Sequence, residues 1–131
     1  MRNIQKRVFS VSQKCFSRRS KLNEEETARR LRDLNNEFNK RSWKMVNKTR
    51  EGSKPLSFLS LDISLENESD AMMKAVQILE KLHTISKDLD HHPDFFFDSY
   101  RSTLTIDLFT HSCSGTSELD FMMAKKINEE L

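Results

Sequence analysis

Three of the four histidines of this 131-residue chain fall within 21 residues: His91, His92 and His111. Aspartates accompany them, Asp90 directly before the first and Asp120 nine residues after the last. Imidazole gives and takes protons near neutral pH, and a carboxylate that binds one ring nitrogen selects its tautomer. The residue types therefore favour an acid–base site.

Each of these residues also has a purely structural interpretation. The His91-His92-Pro93 sequence can simply end a helix, because the residue before a proline is pushed out of the helical region. Asp120 can cap the helix that follows it. Histidine and aspartate can also ligate a metal, but adjacent histidines have difficulty binding one ion together, and no two histidines lie four residues apart. The spacing therefore disfavours a metal, and no cofactor is expected.

The elements that must position these side chains follow from the hydrophobic pattern. A cap at Asn23 and three glutamates predict a first helix to about residue 40. Alternation predicts strands, and a 3.6-residue period predicts the later helices. The expected order is helix 23–40, strands 43–46 and 56–65, helix 67–89, strands 95–97 and 103–110, and helix 117–131. This is an α+β domain, a four-stranded antiparallel sheet with helices packed on one face.

In that arrangement, every candidate residue stands where an element ends. His91 and His92 follow the long helix, His111 ends the last strand, and Asp120 is in the first turn of the last helix. Element ends are where a rigid scaffold usually presents functional side chains.

The long helix has a wider apolar arc than one sheet contact needs. Ala75, Ile78, Leu82, Ile85 and Leu89 form one stripe, which is broadened by Met72, Val76 and Leu79. We therefore expect part of the arc to face another subunit.

The N-terminal 21 residues differ from the rest in charge. They carry seven basic and no acidic side chains, whereas residues 22–131 carry 15 basic and 20 acidic ones. A basic, amphipathic segment without acids is typical of a mitochondrial presequence, with a disordered basic tail as the alternative. We therefore predict a targeting segment at 1–21, one domain at 22–131 and a mitochondrial location, with cytoplasm or nucleus as alternatives.

Composition also argues against several classes of protein. A domain with a net charge of −5 does not support direct nucleic-acid binding. No apolar run approaches the ~20 residues of a membrane-spanning helix. The two cysteines, Cys15 and Cys113, form no CxxC pair, so neither a disulfide framework nor a cysteine zinc site is expected.

The stretch from Lys87 to Asp120 resembles the pterin-4a-carbinolamine dehydratases, and a looser resemblance extends back to about residue 22. The similarity lies in Leu89-Asp90-His91-His92-Pro93, the aromatic Phe95, the strand Leu104–Leu108, Thr110-His111 and Gly115–Asp120. Lys87 departs from the acidic residue common in the family, and the turn before Thr103 is about two residues longer.

The resemblance implies dehydration of a 4a-hydroxytetrahydropterin to a quinonoid dihydropterin without a cofactor. It implies that His91 and His111 transfer protons and that Asp120 orients His111. His92, with Asp90, Pro93, Phe95 and Thr110, would bind the pterin. It also implies a homo-oligomer, a dimer that extends the sheet across subunits or a tetramer that packs the long helices.

Two other function classes stay open on the sequence. Vertebrate members of this family also serve as dimerisation cofactors of a homeodomain transcription factor, and the apolar arc of the long helix is compatible with such docking. A metal-dependent hydrolase could use the same histidines.

Overall fold

A computed structural model describes residues 18–37, 41–48 and 56–131 of the chain. Within these ranges, three helices and four strands follow one another in the predicted order. A short 3₁₀ turn at His111–Cys113 separates the last strand from the last helix. The elements are α1 (Glu24–Glu37), β1 (Lys44–Lys48), β2 (Leu56–Ser64), α2 (Ala71–Leu89), β3 (Asp94–Asp98), β4 (Thr103–Leu108) and α3 (Glu118–Glu130).

The helix starts are set by side-chain caps. Asn23 accepts the backbone N–H of Glu26 at 2.8 Å, as the sequence predicts. The long helix α2 begins at Ala71, four residues later than expected, because the Asp70 carboxylate caps it by accepting the backbone N–H of Met73 at 3.0 Å. The residues before Asp70 instead form a turn, closed by a hydrogen bond from Glu68 N–H to the Leu65 carbonyl.

The sheet is antiparallel throughout and has the strand order β1-β2-β4-β3. Its inner face packs under the helices, and the register aligns Leu61 with Ile106 at the centre. The centre of the other face is polar, with Ser60 donating to Asp107 at 2.6 Å and Thr105 donating to Asp62 at 2.7 Å. The buried core includes Trp43, Leu59, Leu61, Leu104, Ile106, Leu108, Met123 and Ile127. The α+β prediction is confirmed.

The long helix buries only part of its apolar arc on its own sheet. Its inner stripe is buried, but Met72 and Val76 are 59% and 44% exposed, and the neighbouring Met73 is also exposed. The additional apolar surface that the sequence predicts is therefore exposed on the N-terminal half of α2. Within the described ranges, no helix is both long enough and apolar enough to cross a membrane.

Candidate active site around His91 and Asp120

A buried carboxylate lies at the centre of the candidate site. The side chain of Asp120 is fully shielded from solvent in the first turn of α3. Its Oδ1 atom lies 2.5 Å from Nε2 of His91, which is 6% exposed. Its Oδ2 atom accepts the hydroxyl of Thr110 at 2.8 Å and the backbone N–H of Ser117 at 2.9 Å. A carboxylate hydrogen-bonded this fully holds its partners in one geometry.

The hydrogen bonds assign the protons in this cluster. The Thr110 hydroxyl gives its hydrogen to Asp120, so the hydroxyl of Ser117, 2.6 Å away, must donate to Thr110. A carboxylate has acceptors only, so Nε2 of His91 carries a hydrogen. The Nδ1 atom of His91 has no hydrogen-bond partner among the described residues. This nitrogen is therefore the one available to a bound molecule.

The backbone before His91 is fixed by the end of α2. Asp90 has φ 49° and ψ 47°, the left-handed conformation that commonly follows a helix and that Asp tolerates better than most residues. The backbone N–H of His91 then returns to the carbonyl of Ser86 at 3.1 Å. The chain turns sharply at Asp90 and directs His91 toward α3.

His111 lies close to this cluster in the chain but is not part of its hydrogen bonding. It directly follows Thr110, is exposed, and packs its ring edge-to-face against Phe109 at 4.9 Å between ring centres. No hydrogen bond joins it to Asp120 in the described part of the chain. The prediction that Asp120 orients His111 is therefore wrong: the Asp120 oxygens bind His91, Thr110 and Ser117 instead.

The remaining predicted site residues fall into two groups. Thr110 is buried and supports Asp120, so its side chain faces the carboxylate. Asp90 serves as the helix cap, and its carbonyl accepts the guanidinium of Arg19 at 2.8 Å. His92 and Phe95 are exposed, and Pro93 is half-buried between them. All three lie within four residues of His91 in the chain.

Three residues at the site were not predicted to belong to it. Ser117 completes the support of Asp120, and the residue pattern marked it only as a helix start. The charge pattern predicts that Arg19 and Lys21 belong to the targeting segment, yet Lys21 bridges to Ser117 and Arg19 contacts Asp90. The structure thus joins residues 19–21 to the domain. Their position next to the Asn23 cap is the one sequence signal that could have indicated this.

Cys113 lies beside the cluster in the 3₁₀ turn. Its thiol donates to the carbonyl of Thr110 at 3.5 Å. Burial raises the pKa of the Cys113 thiol, and the charge of Asp120 acts in the same direction. The thiol is therefore held in its neutral form and does not have the character of an activated nucleophile.

Fold and site together define a class: small α+β domains that hold a carboxylate-bound imidazole at the end of an antiparallel sheet. Across the described ranges, no group of three histidine, cysteine or acidic side chains is arranged to hold a metal ion. The sequence profile of the family described as Pterin 4 alpha carbinolamine dehydratase matches residues 20–130. The chain belongs to this family.

Individual relatives agree with the family match. A transcriptional coactivator/pterin dehydratase from Brucella melitensis has a similar structure, with a TM-score of 0.61 and 26% identity over 84% of this chain and 97% of that one. A protein of Sulfolobus acidocaldarius, provisionally named a pterin-4-alpha-carbinolamine dehydratase, is 39% identical over 56 residues. That match covers 43% of this chain and 59% of the relative.

The name of one plant relative includes a mitochondrial location. The mitochondrial pterin-4-alpha-carbinolamine dehydratase 2 of Arabidopsis thaliana is 32% identical over 56 residues, which cover 43% of this chain and 29% of that protein. The matched segments thus span less than two thirds of the length of these curated relatives.

Proposed function

We propose that this protein is a hydro-lyase that converts a 4a-hydroxytetrahydropterin to the quinonoid dihydropterin and water. The observation that carries the proposal is the His91–Asp120 pair, in a chain that belongs to the pterin carbinolamine dehydratase family. The product is the oxidised form that a reductase must return to the tetrahydro state. The activity would therefore serve recycling of a tetrahydrobiopterin-type cofactor.

The reaction needs one proton removed and one proton supplied. The bond from C4a to the hydroxyl oxygen breaks, N5 loses its hydrogen, and the electron pair of that N–H bond forms the C4a–N5 double bond. Hydroxide leaves poorly unless it is protonated. An acid and a base that work near neutral pH satisfy both needs, and positioned groups of this kind contribute ~10²–10⁴-fold.

The hydrogen bonds favour His91 as the base. Asp120 holds the hydrogen on Nε2, so Nδ1 is left to accept the proton from N5 of the substrate. The carboxylate then stabilises the imidazolium that forms, as it does in other carboxylate–histidine pairs. In this proposal the exposed His111 supplies the proton to the leaving hydroxyl, and His92, Pro93 and Phe95 contact the pterin.

The direct test is the decay of the 4a-carbinolamine, generated in situ by a tetrahydropterin-dependent hydroxylase and followed by ultraviolet absorbance. Wild-type protein should accelerate the decay catalytically, and the His91→Ala/His111→Ala double variant should not. A wild-type chain that leaves the spontaneous rate unchanged would refute the proposed activity.

A second candidate function is docking on a partner transcription factor. It is favoured by the exposed apolar side chains of α2, Met72, Met73 and Val76, and by the coactivator name of the Brucella relative. The two functions can be separated in cells that lack the protein. If a variant without dehydratase activity restores the wild-type phenotype, docking is the function that matters there.

We further propose a mitochondrial location, supported by the basic N-terminal composition and by the plant relative. The targeting prediction for residues 1–17 lies outside the described residues. Imaging of the full-length protein with a C-terminal tag, compared with a chain that begins at Ser17 after an initiator Met, tests the location. Mitochondrial signal that persists without the segment would contradict its role.

A further inference from the structure

The segment just before α1 contacts both halves of the candidate site. We call residues 19–22 the strap. One end of it bonds the loop that carries His91, and the other end bonds the loop that leads into Asp120. These two loops are separated by a whole hairpin in the chain, so the strap is a direct physical link between them.

At its first end, the strap fixes the peptide unit that precedes His91. Arg19 donates from its guanidinium to the carbonyl of Asp90 at 2.8 Å. The N–H of the same peptide unit, which belongs to His91, donates to the carbonyl of Ser86 at 3.1 Å. Both polar groups of the unit are therefore bonded, and the backbone from which the His91 ring projects is held on two sides.

The carbonyl bond, not the ion pair, is the significant contact of Arg19. The Asp90 carboxylate is 3.8 Å away and 92% exposed, so its attraction is largely screened by solvent. The carbonyl, in contrast, lies at the C-terminal end of α2, where a positive charge is favoured.

At its other end, the strap fixes the support of Asp120. The N–H of Leu22 donates to the carbonyl of Thr116 at 2.9 Å, and Lys21 forms a β-bridge with Ser117. The Lys21 side chain lies over Gly115, so closely that a β-carbon there would come within 2.9 Å of it.

Gly115 connects this end of the strap to the site. Its carbonyl accepts the N–H of Thr110 at 2.9 Å, and Thr110 donates to the Asp120 carboxylate. The strap thus reaches Asp120 through both Thr110 and Ser117.

We propose that the strap is a positioning element for the His91–Asp120 pair, and that Arg19 is its principal positioning residue. The inference rests on the proposed function, since its consequence is a better-aligned acid–base site. The bond that Arg19 makes here is to the Asp90 carbonyl and not to the His91 ring. It acts by fixing the backbone that directs His91 toward the carboxylate.

The test compares Arg19→Ala and Arg19→Lys with Arg18→Ala in the full chain. Arg18 is exposed and adjacent, so its replacement removes the same charge and serves as the matched control. We expect Arg19→Ala to lower kcat by about 10-fold with KM nearly unchanged, less than the ~10²-fold that a displacement of ~1 Å can cost. Arg19→Lys keeps a charged donor and should recover part of the loss. Arg18→Ala should match the wild type.

A second readout does not depend on turnover. The ¹⁵N signals of the His91 ring report which nitrogen carries hydrogen, and in the wild type they should show hydrogen on Nε2. In Arg19→Ala these signals should shift toward a mixture of tautomers while the thermal midpoint changes little. Unchanged ring signals or an unchanged kcat in Arg19→Ala would overturn the inference. It would also be overturned if kcat fell only in proportion to a fall in the thermal midpoint, because the effect would then be general destabilisation.

These outcomes separate the inference from the proposed function. If wild-type protein does not accelerate carbinolamine decay, the proposed function fails, and only the ring signals then test the positioning role of the strap. If the wild type is active and Arg19→Ala equals it, the strap inference fails and the proposed function stands.

Discussion

Nε2 of His91 lies 2.5 Å from Oδ1 of Asp120, although 29 residues separate the two in the chain. Both side chains are buried, and the second oxygen of the carboxylate is bonded by Thr110 and Ser117. The carboxylate therefore caps a helix, anchors the end of a strand and fixes a histidine tautomer at once. A single substitution there should disturb stability and chemistry together.

Asp120→Asn tests that combination. The amide retains the shape of the side chain but has one acceptor oxygen. If that oxygen keeps the Thr110 and Ser117 contacts, the NH₂ group faces His91, whose Nε2 must then accept and whose hydrogen moves to Nδ1. We expect a loss of about 1–3 kcal/mol in the free energy of unfolding. Turnover should fall by ~10²-fold or more, because Nδ1 of His91 then carries a hydrogen and cannot take the proton from N5 of the substrate. Urea denaturation and the carbinolamine assay measure the two effects, and wild-type turnover would contradict the proposed role.

Replacement of the two histidines of the proposed mechanism should affect the stability of the fold to different extents. Both stand at element ends, but the structure buries His91 against a carboxylate and leaves His111 exposed. His91→Ala should therefore destabilise the protein by about 1–3 kcal/mol. His111 is exposed, so His111→Ala should stay within about 0.5 kcal/mol of the wild type. Equal stabilities by urea denaturation would contradict the pairing.

Activity assays of the same variants test the assigned roles. Each of His91→Ala and His111→Ala should lower kcat by ~10²–10⁴-fold, the usual contribution of a positioned acid or base. His92→Ala should mainly raise KM, since His92 is exposed and directly follows His91. A double variant of His91 and His111 with wild-type turnover would show that the proposed mechanism is wrong.

N-terminal truncations should show where the domain begins. A chain that starts at Ser17 keeps the strap and should fold with full activity. A chain that starts at Asn23 loses the contacts of Arg19, Lys21 and Leu22, and should be slower and less stable. Circular dichroism and the decay assay compare the two. Equal behaviour would show that the strap contributes nothing, and failure of the longer chain would extend the domain further toward the N-terminus.

Assembly is expected through the exposed part of α2. Burial of Met72, Met73 and Val76 against a second subunit would contribute ~25 cal/mol per Å² of apolar surface before association costs. We predict a homo-oligomer, a tetramer in preference to a dimer, by light scattering coupled to size exclusion. Val76→Glu should reduce the oligomer, whereas the neighbouring exposed Gln77→Glu, which adds the same charge, should do so less. A monomeric wild type at micromolar concentration would contradict the prediction.

The sequence by itself determined the elements and the residue types of the site. The Asn23 cap specifies the start of α1, and the alternation of Leu59, Leu61 and Ile63 specifies strand β2. Both signals can be read from the sequence because capping and hydrophobic period depend on near neighbours alone. For the same reason, the sequence alone predicted that His91, His111 and Asp120 lie at element ends.

Only the tertiary structure decided which of these residues bond to one another. The family resemblance implied a pairing of Asp120 with His111, nine residues away, but the carboxylate binds His91. Likewise, the positive charge of Arg19 indicated a targeting segment, yet its guanidinium reaches a carbonyl 71 residues on. Partners at such separations depend on how strands and helices pack in three dimensions, which short-range composition and periodicity do not encode. A hydrogen bond forms only when that packing brings donor and acceptor to about 3 Å.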